Sequence, residues 1–167
     1  MKKTIALLLF CSILWCCEKD DICEEGAAIT PQLIITFYDY TNPTEKKDVE
    51  NFIVYGVTDN NEGVLLTTTS ITTSDSISAP LRTDSDITRL VFHKNIENSD
   101  FETGNYDIVQ VSYSRQDVYI SRACGYVQNF TELNTSLETD LDNWISSTEI
   151  INTSIENETS AHVKIYH

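Results

Sequence analysis

The sequence predicts an all-β protein whose single domain is a β-sandwich of the immunoglobulin or transthyretin type. Three observations lead to this fold class. From Ala28 onward the dominant hydrophobic period is two residues, β-branched and aromatic residues recur in short runs, and turn-forming residues separate the runs at regular spacing. There is no internal repeat and no linker that would divide the chain. We therefore expect one domain at residues 28–167.

The first half of this domain contains five predicted strands. Residues 32–40 alternate between apolar and polar, and they place Leu33, Ile35 and Phe37 on one face. Further strands are expected at 52–58, 64–69, 76–81 and 87–93. Turn-prone residues separate two of these pairs, at 59–63 and at 83–86.

The second half begins with a predicted hairpin. Residues 107–113 alternate again, and we expect a tight connection at 114–117 into a second arm at 118–124. Residues 125–133 continue as a strand. The last strand is predicted at 161–166, with Val163 and Ile165 facing inward.

Residues 137–155 fit two patterns. Leu137, Leu141, Trp144 and Ile145 have helical spacing, whereas residues 151–155 alternate as in a strand. We predict a short helical turn near residues 137–146, followed by a strand.

The N-terminus indicates export and lipidation. Lys2 and Lys3 precede an apolar stretch at residues 4–15 that is too short to span a bilayer and suits a signal peptide. The four residues 14–17, Leu-Trp-Cys-Cys, resemble a bacterial lipobox, which has an aliphatic residue three positions before the lipidated cysteine and a small residue directly before it. We predict a signal peptide at 1–16, acylation of Cys17, and a tether at 17–27. The alternatives are acylation of Cys16 and an ordinary secretory signal, which would lack a small-x-small cleavage site.

The tether contains a predicted localisation signal. Lys19, Asp20 and Asp21 resemble the signal with which Bacteroidota export lipoproteins to the outer face of the outer membrane. We therefore expect a protein lipid-anchored to the outer membrane, with the cell surface favoured over the periplasmic face. The alternative is a charged, solvated spacer without an export role.

The cysteine count is consistent with this processing. The chain has five cysteines, of which Cys11 and Cys16 leave with the signal and Cys17 takes the lipid. We predict a disulfide between the remaining two, Cys23 and Cys124, with a stabilisation on the order of 4–5 kcal/mol in the chain-entropy model. The alternatives are two free thiols or metal ligation, for which the usual zinc spacings are absent.

The charge excludes one class of partner. The chain has 26 acidic and 11 basic residues and a formal net charge of −15. Nucleic acid and anionic membrane surfaces attract an excess of Lys and Arg, so we expect no nucleic-acid partner and no membrane binding through charge. The acidity is typical of a solvated exterior.

Five segments together resemble a known family. They are residues 17–23, 30–39, 42–44, 79–81 and 120–126. The chain is similar in these segments to a Bacteroidota lipoprotein family, the domain-of-unknown-function family 6452. The resemblance implies the anchor at Cys17 and suggests that Cys23 and Cys124 belong together, and it implies no activity.

No catalytic, cofactor or metal site is predicted. The nucleophile elbow, HExxH and P-loop spacings are missing, although carboxylates that pair only in space are invisible in a sequence. His162 and His167 read as surface residues without a third metal ligand, and residues 59–63 read as a turn. Residues 75–77, Asp-Ser-Ile, resemble a Bacteroidota O-glycosylation motif, which makes Ser76 a candidate for modification.

These observations favour a non-enzymatic accessory lipoprotein that docks onto an outer-membrane protein. The alternative from another class is a surface glycan-binding or adhesion module, and a hydrolase with convergent carboxylates is a third. The glycan-binding alternative requires exposed aromatic rings gathered on one concave face, drawn from Tyr38, Tyr40, Tyr113, Tyr119 and Tyr126.

Overall fold

A computed structural model describes residues 22–24, 26, 29–58, 63–64 and 70–167. The chain forms two compact units. Of the described residues, the smaller unit contains those from Ile22 to Ile29 together with Val118–Val127, and the larger contains those of Thr30–Asp117 and Gln128–His167. In the described part of the chain every regular element is a strand, and no helix there could cross a membrane.

One layer of the larger unit is a four-stranded sheet. It contains β1 (Leu33–Tyr38), β5 (Ser76–Ala79), β9 (Ser147–Ile150) and β10 (Val163–Tyr166), in the order β5-β1-β10-β9. The central pair, β1 and β10, is parallel, with Ile35 opposite Val163 and Phe37 opposite Ile165. The two outer pairs are antiparallel.

The other layer is built on β2 (Val49–Val57), β6 (Ile87–Lys94), β7 (Asn105–Ser121) and β8 (Gly125–Leu137). The order is β3-β2-β6-β7-β8, where β3 is the short strand Gly63–Val64, and β4 (Thr72–Ser74) also pairs with β2. The pairings of β2 with β6 and of β6 with β7 are antiparallel.

The core lies between the two layers. Phe37 of β1 packs edge-on against Phe52 of β2 and Phe92 of β6, at ring-centroid distances of 5.3 and 6.3 Å. Period-two alternation supplies the other buried side chains, because successive residues of a strand point to opposite faces. They include Leu33, Ile35, Leu90, Val109, Val111, Phe130, Val163 and Ile165. The all-β, sandwich-like prediction is confirmed, as are the inward faces of the first and last strands.

The predicted hairpin turn is wrong. Residues 114–117 continue β7, and the chain reverses at residues 122–124 instead. The polar side chains that suggested a turn find partners within the larger unit, such as Arg115 with Asp86 at 2.6 Å and Ser114 with Glu132 at 2.6 Å. Gly125 has a φ of +70°, the left-handed conformation that a tight reversal favours in glycine.

The predicted helical turn near residues 137–146 is also wrong. Residues 138–146 are irregular, and β9 follows directly. The N–H of Asp140 donates to Asn143 Oδ1 at 2.9 Å, and the N–H of Asp142 donates to Asp140 Oδ1 at 3.0 Å. These side-chain acceptors replace the backbone bonds of a helix. The predicted strand at 151–155 is reduced to a bridge between Ile155 and Phe130, and residues 65–69 of the predicted third strand lie outside the described residues.

Candidate functional site

The predicted anchor region lies outside the described residues. This applies to Cys17 and to Lys19, Asp20 and Asp21. Lipidation and surface export therefore stay predictions.

The predicted disulfide is present. Cys23 and Cys124 are bonded across 101 positions of sequence, with their Cα atoms 4.8 Å apart. Cys124 lies at the turn between β7 and β8, where its N–H donates to Ser121 Oγ at 3.0 Å. The bond fixes the tip of this hairpin to the chain six residues after Cys17.

The hairpin tip, defined as Val118–Val127, presents apolar side chains to solvent. Tyr119 and Tyr126 are each more than half exposed, and their rings contact each other at a centroid distance of 5.3 Å. Ile120 is also exposed. In the same small unit Ile22 and Ile29 are exposed as well.

A second exposed apolar surface lies in the larger unit, around a depression of about 300 Å³. The depression lies between two segments, 104–106 and 140–142. Leu141 is fully exposed there and Tyr106 is more than half exposed. The Asn105 side-chain amide donates to the carbonyl oxygen of Asp142 at 2.6 Å, which holds the two segments together.

Aromatic rings extend this surface beyond the depression. His93 is buried, and its ring contacts Tyr106 at 5.9 Å and Phe101 at 6.1 Å. Phe101 is more than half exposed. We define the aromatic–acidic patch as Phe101, Tyr106, Asp140, Leu141 and Asp142.

Buried polar contacts hold the connection that carries Leu141. Asp107 is fully buried, and its carboxylate accepts the N–H of Ile145 at 2.7 Å. Burial raises the pKa of Asp107, and the hydrogen bonds from Ile145 and Asn143 oppose the rise. The Trp144 indole N–H donates to the Phe92 carbonyl at 3.2 Å, and the Lys94 ammonium lies 4.7 Å from the Trp144 ring centroid. Asp107 thus holds in place the loop that carries Leu141 of the patch.

The surface prediction for His162 is wrong. His162 is buried directly before β10, where its N–H donates to the Ile34 carbonyl at 2.8 Å and its Nδ1 accepts the Ile34 N–H at 3.0 Å. Burial lowers the pKa of His162, in keeping with a ring nitrogen that accepts a hydrogen bond. His167 is half-buried against Trp144 and Phe37. Among the described residues no three His, Cys, Asp or Glu side chains form a metal-ligand group.

The five tyrosines considered for glycan binding differ in their exposure and in the unit to which they belong. Tyr113 is buried and packs against Phe130, and Tyr38 is partly buried beside Tyr166. Tyr40 is exposed in the larger unit, and Tyr119 and Tyr126 belong to the smaller one. Tyr113 is therefore removed from the candidate set.

Ser76 begins β5, at the edge of the four-stranded sheet, and it is partly buried. Asp75 beside it forms an ion pair with Lys46 at 3.0 Å. Lys46 holds the pKa of Asp75 below its usual value, and the Ser76 hydroxyl adds to that effect. Glycosylation of Ser76 stays a prediction.

The aromatic–acidic patch was not predicted from the sequence. Leu141 was placed in a helical turn because of its spacing, whereas it lies in an irregular loop with its side chain exposed. The run Asp140, Asp142, Asn143 was the available signal, because Asp and Asn accept backbone N–H groups and favour turns. Chemically, the patch offers apolar and aromatic contact area with two carboxylate residues at its rim.

Comparison with known proteins identifies the family. The model of a family of unknown function, DUF6452, matches residues 51–167. The chain belongs to this family. The matched range includes Cys124 and the aromatic–acidic patch and begins after Cys23. Searches of the curated proteins and of the solved structures found no significant match.

Proposed function

We propose that this member of the DUF6452 family is a non-enzymatic accessory lipoprotein, anchored to a bacterial outer membrane through Cys17, that docks onto an outer-membrane protein. The cell surface is the favoured face. The observation that carries the docking role is the aromatic–acidic patch. Exposed apolar surface rimmed by polar groups is typical of protein interaction sites, and Tyr and Phe are enriched in such interfaces.

The geometry of the patch suits a rigid docking surface. Leu141 projects from a loop whose backbone is held by Asp107 and by the Asn105 amide. A loop whose backbone is already held in place loses little backbone conformational freedom on binding, so the main remaining entropic cost is the ordering of the exposed Leu141 side chain itself. Leu141 therefore supplies apolar area to a partner at a small entropic cost, with Tyr106 beside it.

The anchor supports the same role. An acyl chain gains about 0.8 kcal/mol per buried methylene, and two or more chains make attachment stable. A short tether keeps the domain near the membrane and raises its effective concentration at a membrane-embedded partner.

The anchoring part of the proposal is tested by replacing Cys17 with Ser. The wild-type chain is expected in the outer-membrane fraction, with a diacylated N-terminal cysteine in its mass spectrum. The C17S chain is expected in the soluble fraction or as unprocessed precursor. Equal amounts of both chains in the outer membrane, with an unmodified wild-type cysteine, would contradict lipid anchoring.

The docking part is tested by pull-down of the tagged, lipidated chain from gently solubilised outer membranes. Leu141→Glu places a charge at the centre of the patch, and Ile151→Glu makes the same change at another exposed apolar residue of the larger unit. We expect one outer-membrane protein to be recovered in equal amount with the wild type and with I151E, and to be lost with L141E. Recovery unchanged by L141E would exclude the patch.

Glycan binding is the second candidate, and the same patch favours it. The Tyr106 ring borders a depression that also contains Asp140 and Asp142, and an aromatic face beside polar acceptors is suited to a sugar ring. Calorimetric titration with outer-membrane polysaccharide distinguishes the two candidates. Saturable binding that is lost in Tyr106→Ala and retained in Tyr40→Ala would favour the glycan-binding module over the protein partner.

A further inference from the structure

The small unit concentrates exposed apolar side chains. Tyr119 is 54% exposed and Tyr126 is 68% exposed, while Ile22, next to the disulfide, is 82% exposed. Ile120 and Ile29 of the same unit are exposed as well. Tyr119 and Ile120 are successive residues of β7 and face opposite sides of the strand, so the tip exposes apolar side chains on both of its faces. Exposed apolar side chains concentrated in one small unit mark a surface that contacts another protein or a membrane.

The two tyrosines have the chemistry of a membrane interface. Their rings contact each other at 5.3 Å and at an interplanar angle of 63°. A tyrosine has an apolar ring and a polar hydroxyl, and it is enriched where hydrocarbon meets water. The neighbouring Ile120 adds a purely apolar side chain.

The charge of the hairpin tip differs from that of the whole chain. The chain has a net charge of −15, yet Val118–Val127 contains no Asp or Glu and one Arg, the exposed Arg122. A guanidinium group binds phosphate well, whereas acidic groups are repelled by anionic headgroups. The tip itself thus has no acidic group to repel a phospholipid headgroup, but the segment that the disulfide joins to it carries five acidic residues and one lysine between Glu18 and Glu25.

The disulfide limits how far the tip can move from the anchor. Cys23 follows Cys17 by six residues, which span at most about 20 Å when fully extended. The Cα of Cys124 is 4.8 Å from that of Cys23. Tyr126 lies two residues further on. The Cα of Tyr126 therefore stays within about 30 Å of that of Cys17 whatever the orientation of the larger unit.

We propose that the hairpin tip is a second membrane contact, in which Tyr119, Ile120 and Tyr126 lie in the headgroup region of the bilayer that holds the Cys17 lipid. This inference rests on the anchoring part of the proposed function. Two points of attachment would fix the small unit at the membrane surface, where a lipid chain alone would leave it free to rotate.

The test uses the full, lipidated chain in vesicles of phosphatidylethanolamine and phosphatidylglycerol with brominated acyl chains, which quench nearby tryptophan fluorescence. Tyr126→Trp reports on the tip and Tyr119→Trp is the second reporter. Tyr40→Trp is the control, because Tyr40 is 59% exposed and belongs to the larger unit. The buried Trp144 also emits, so the emission of the wild-type chain is measured separately and subtracted from that of each variant.

We expect bromination to reduce the emission of the Y126W reporter about twofold, because interfacial apolar groups are buried about 5–10 Å into the boundary between headgroups and acyl chains. The Y40W emission should be unchanged. If the chain floats with the vesicles and neither tip reporter is quenched beyond Y40W, the anchor stands, the membrane contact is excluded, and a protein becomes the occupant of the tip. If the lipidated chain does not float, the anchor and this inference both fail.

Discussion

Cys23 is bonded to Cys124 across 101 residues of sequence, so the turn between β7 and β8 is covalently joined to the segment that follows Cys17. About three-fifths of the chain is enclosed in the loop that this bond closes. Its removal should affect both the stability of the domain and the position of the hairpin tip.

Loss of the disulfide is expected to destabilise the protein strongly. Closure of a loop of about 100 residues reduces the entropy of the unfolded chain, and the chain-entropy model gives a stabilisation of about 4–5 kcal/mol. Cys124→Ser should lower the free energy of unfolding by an amount of that order in guanidinium titrations. Cys23→Ser is the matched control and should give the same loss. A wild-type protein whose midpoint is unchanged by reductant would contradict this prediction.

The hydrogen bonds of the Tyr113 hydroxyl should stabilise the folded protein measurably. Its hydroxyl donates to the Arg82 carbonyl at 2.8 Å and lies 2.6 Å from the hydroxyl of the buried Thr88. Tyr113→Phe removes both contacts and leaves the ring packed on Phe130. We expect a loss of about 1–2 kcal/mol in thermal or chemical unfolding. Tyr40→Phe, at an exposed ring, should unfold like the wild type. An equal loss of stability in the two variants would contradict a contribution from the hydrogen bonds of the Tyr113 hydroxyl.

Stability should fall as the pH drops below the usual histidine range, in part because of His162. Burial lowers its folded pKa below the ordinary value of 6.5, and its Nδ1 accepts the Ile34 N–H only when unprotonated. Between the lowered pKa and 6.5 the unfolded chain binds a proton that the folded chain does not, so unfolding becomes easier as the pH falls.

The measurement is the free energy of unfolding of the wild type and of His162→Asn at a series of pH values. Asn can place its Oδ1 near the position of Nδ1, and it does not titrate. The difference in the free energy of unfolding between the wild type and His162→Asn should change with pH below 6.5 and be constant above it. His167, whose pKa burial also lowers, should contribute a pH dependence that both proteins share. A difference that is constant across the whole range would contradict the assignment to His162.

Gly104 should not tolerate a side chain. Its φ is +82°, and a Cβ atom there would overlap the carbonyl oxygen of Lys94. Gly104→Ala combines a strained backbone with a clash against the main chain, and we expect a loss above about 1 kcal/mol. Gly125→Ala is a matched comparison, because its φ is +70° and its Cβ would meet nothing within 4 Å. Equal losses in the two variants would show that the clash contributes nothing.

The sequence predicted the all-β class and the inward faces of the first and last strands well because each strand shows its inward face locally. Leu33, Ile35 and Phe37 alternate, and all three are buried. The errors arose where distant contacts decide the structure. His162 was predicted to lie at the surface, but its ring nitrogen accepts the N–H of Ile34, 128 residues away in sequence.

The candidate site could not be predicted for the same reason. Tyr106 and Leu141 lie far apart in sequence and meet at the depression only in the folded chain. The loop at 138–146, which carries Leu141, is held by the hydrogen bond from the Ile145 N–H to the Asp107 carboxylate. No local sequence pattern indicates this hydrogen bond. By contrast, the pairing of Cys23 with Cys124 follows from counting cysteines once the signal peptide and the lipid are assigned.

The most direct measurement for the docking account is site-specific photo-cross-linking in intact cells. Tyr106 is replaced by p-benzoylphenylalanine in the full chain, and Tyr40, an exposed ring outside the patch, is replaced in the same way as the control. We expect one discrete cross-link from position 106 to an outer-membrane protein, with none from position 40. The same cross-linking pattern at both positions, or no protein cross-link at position 106, would contradict it.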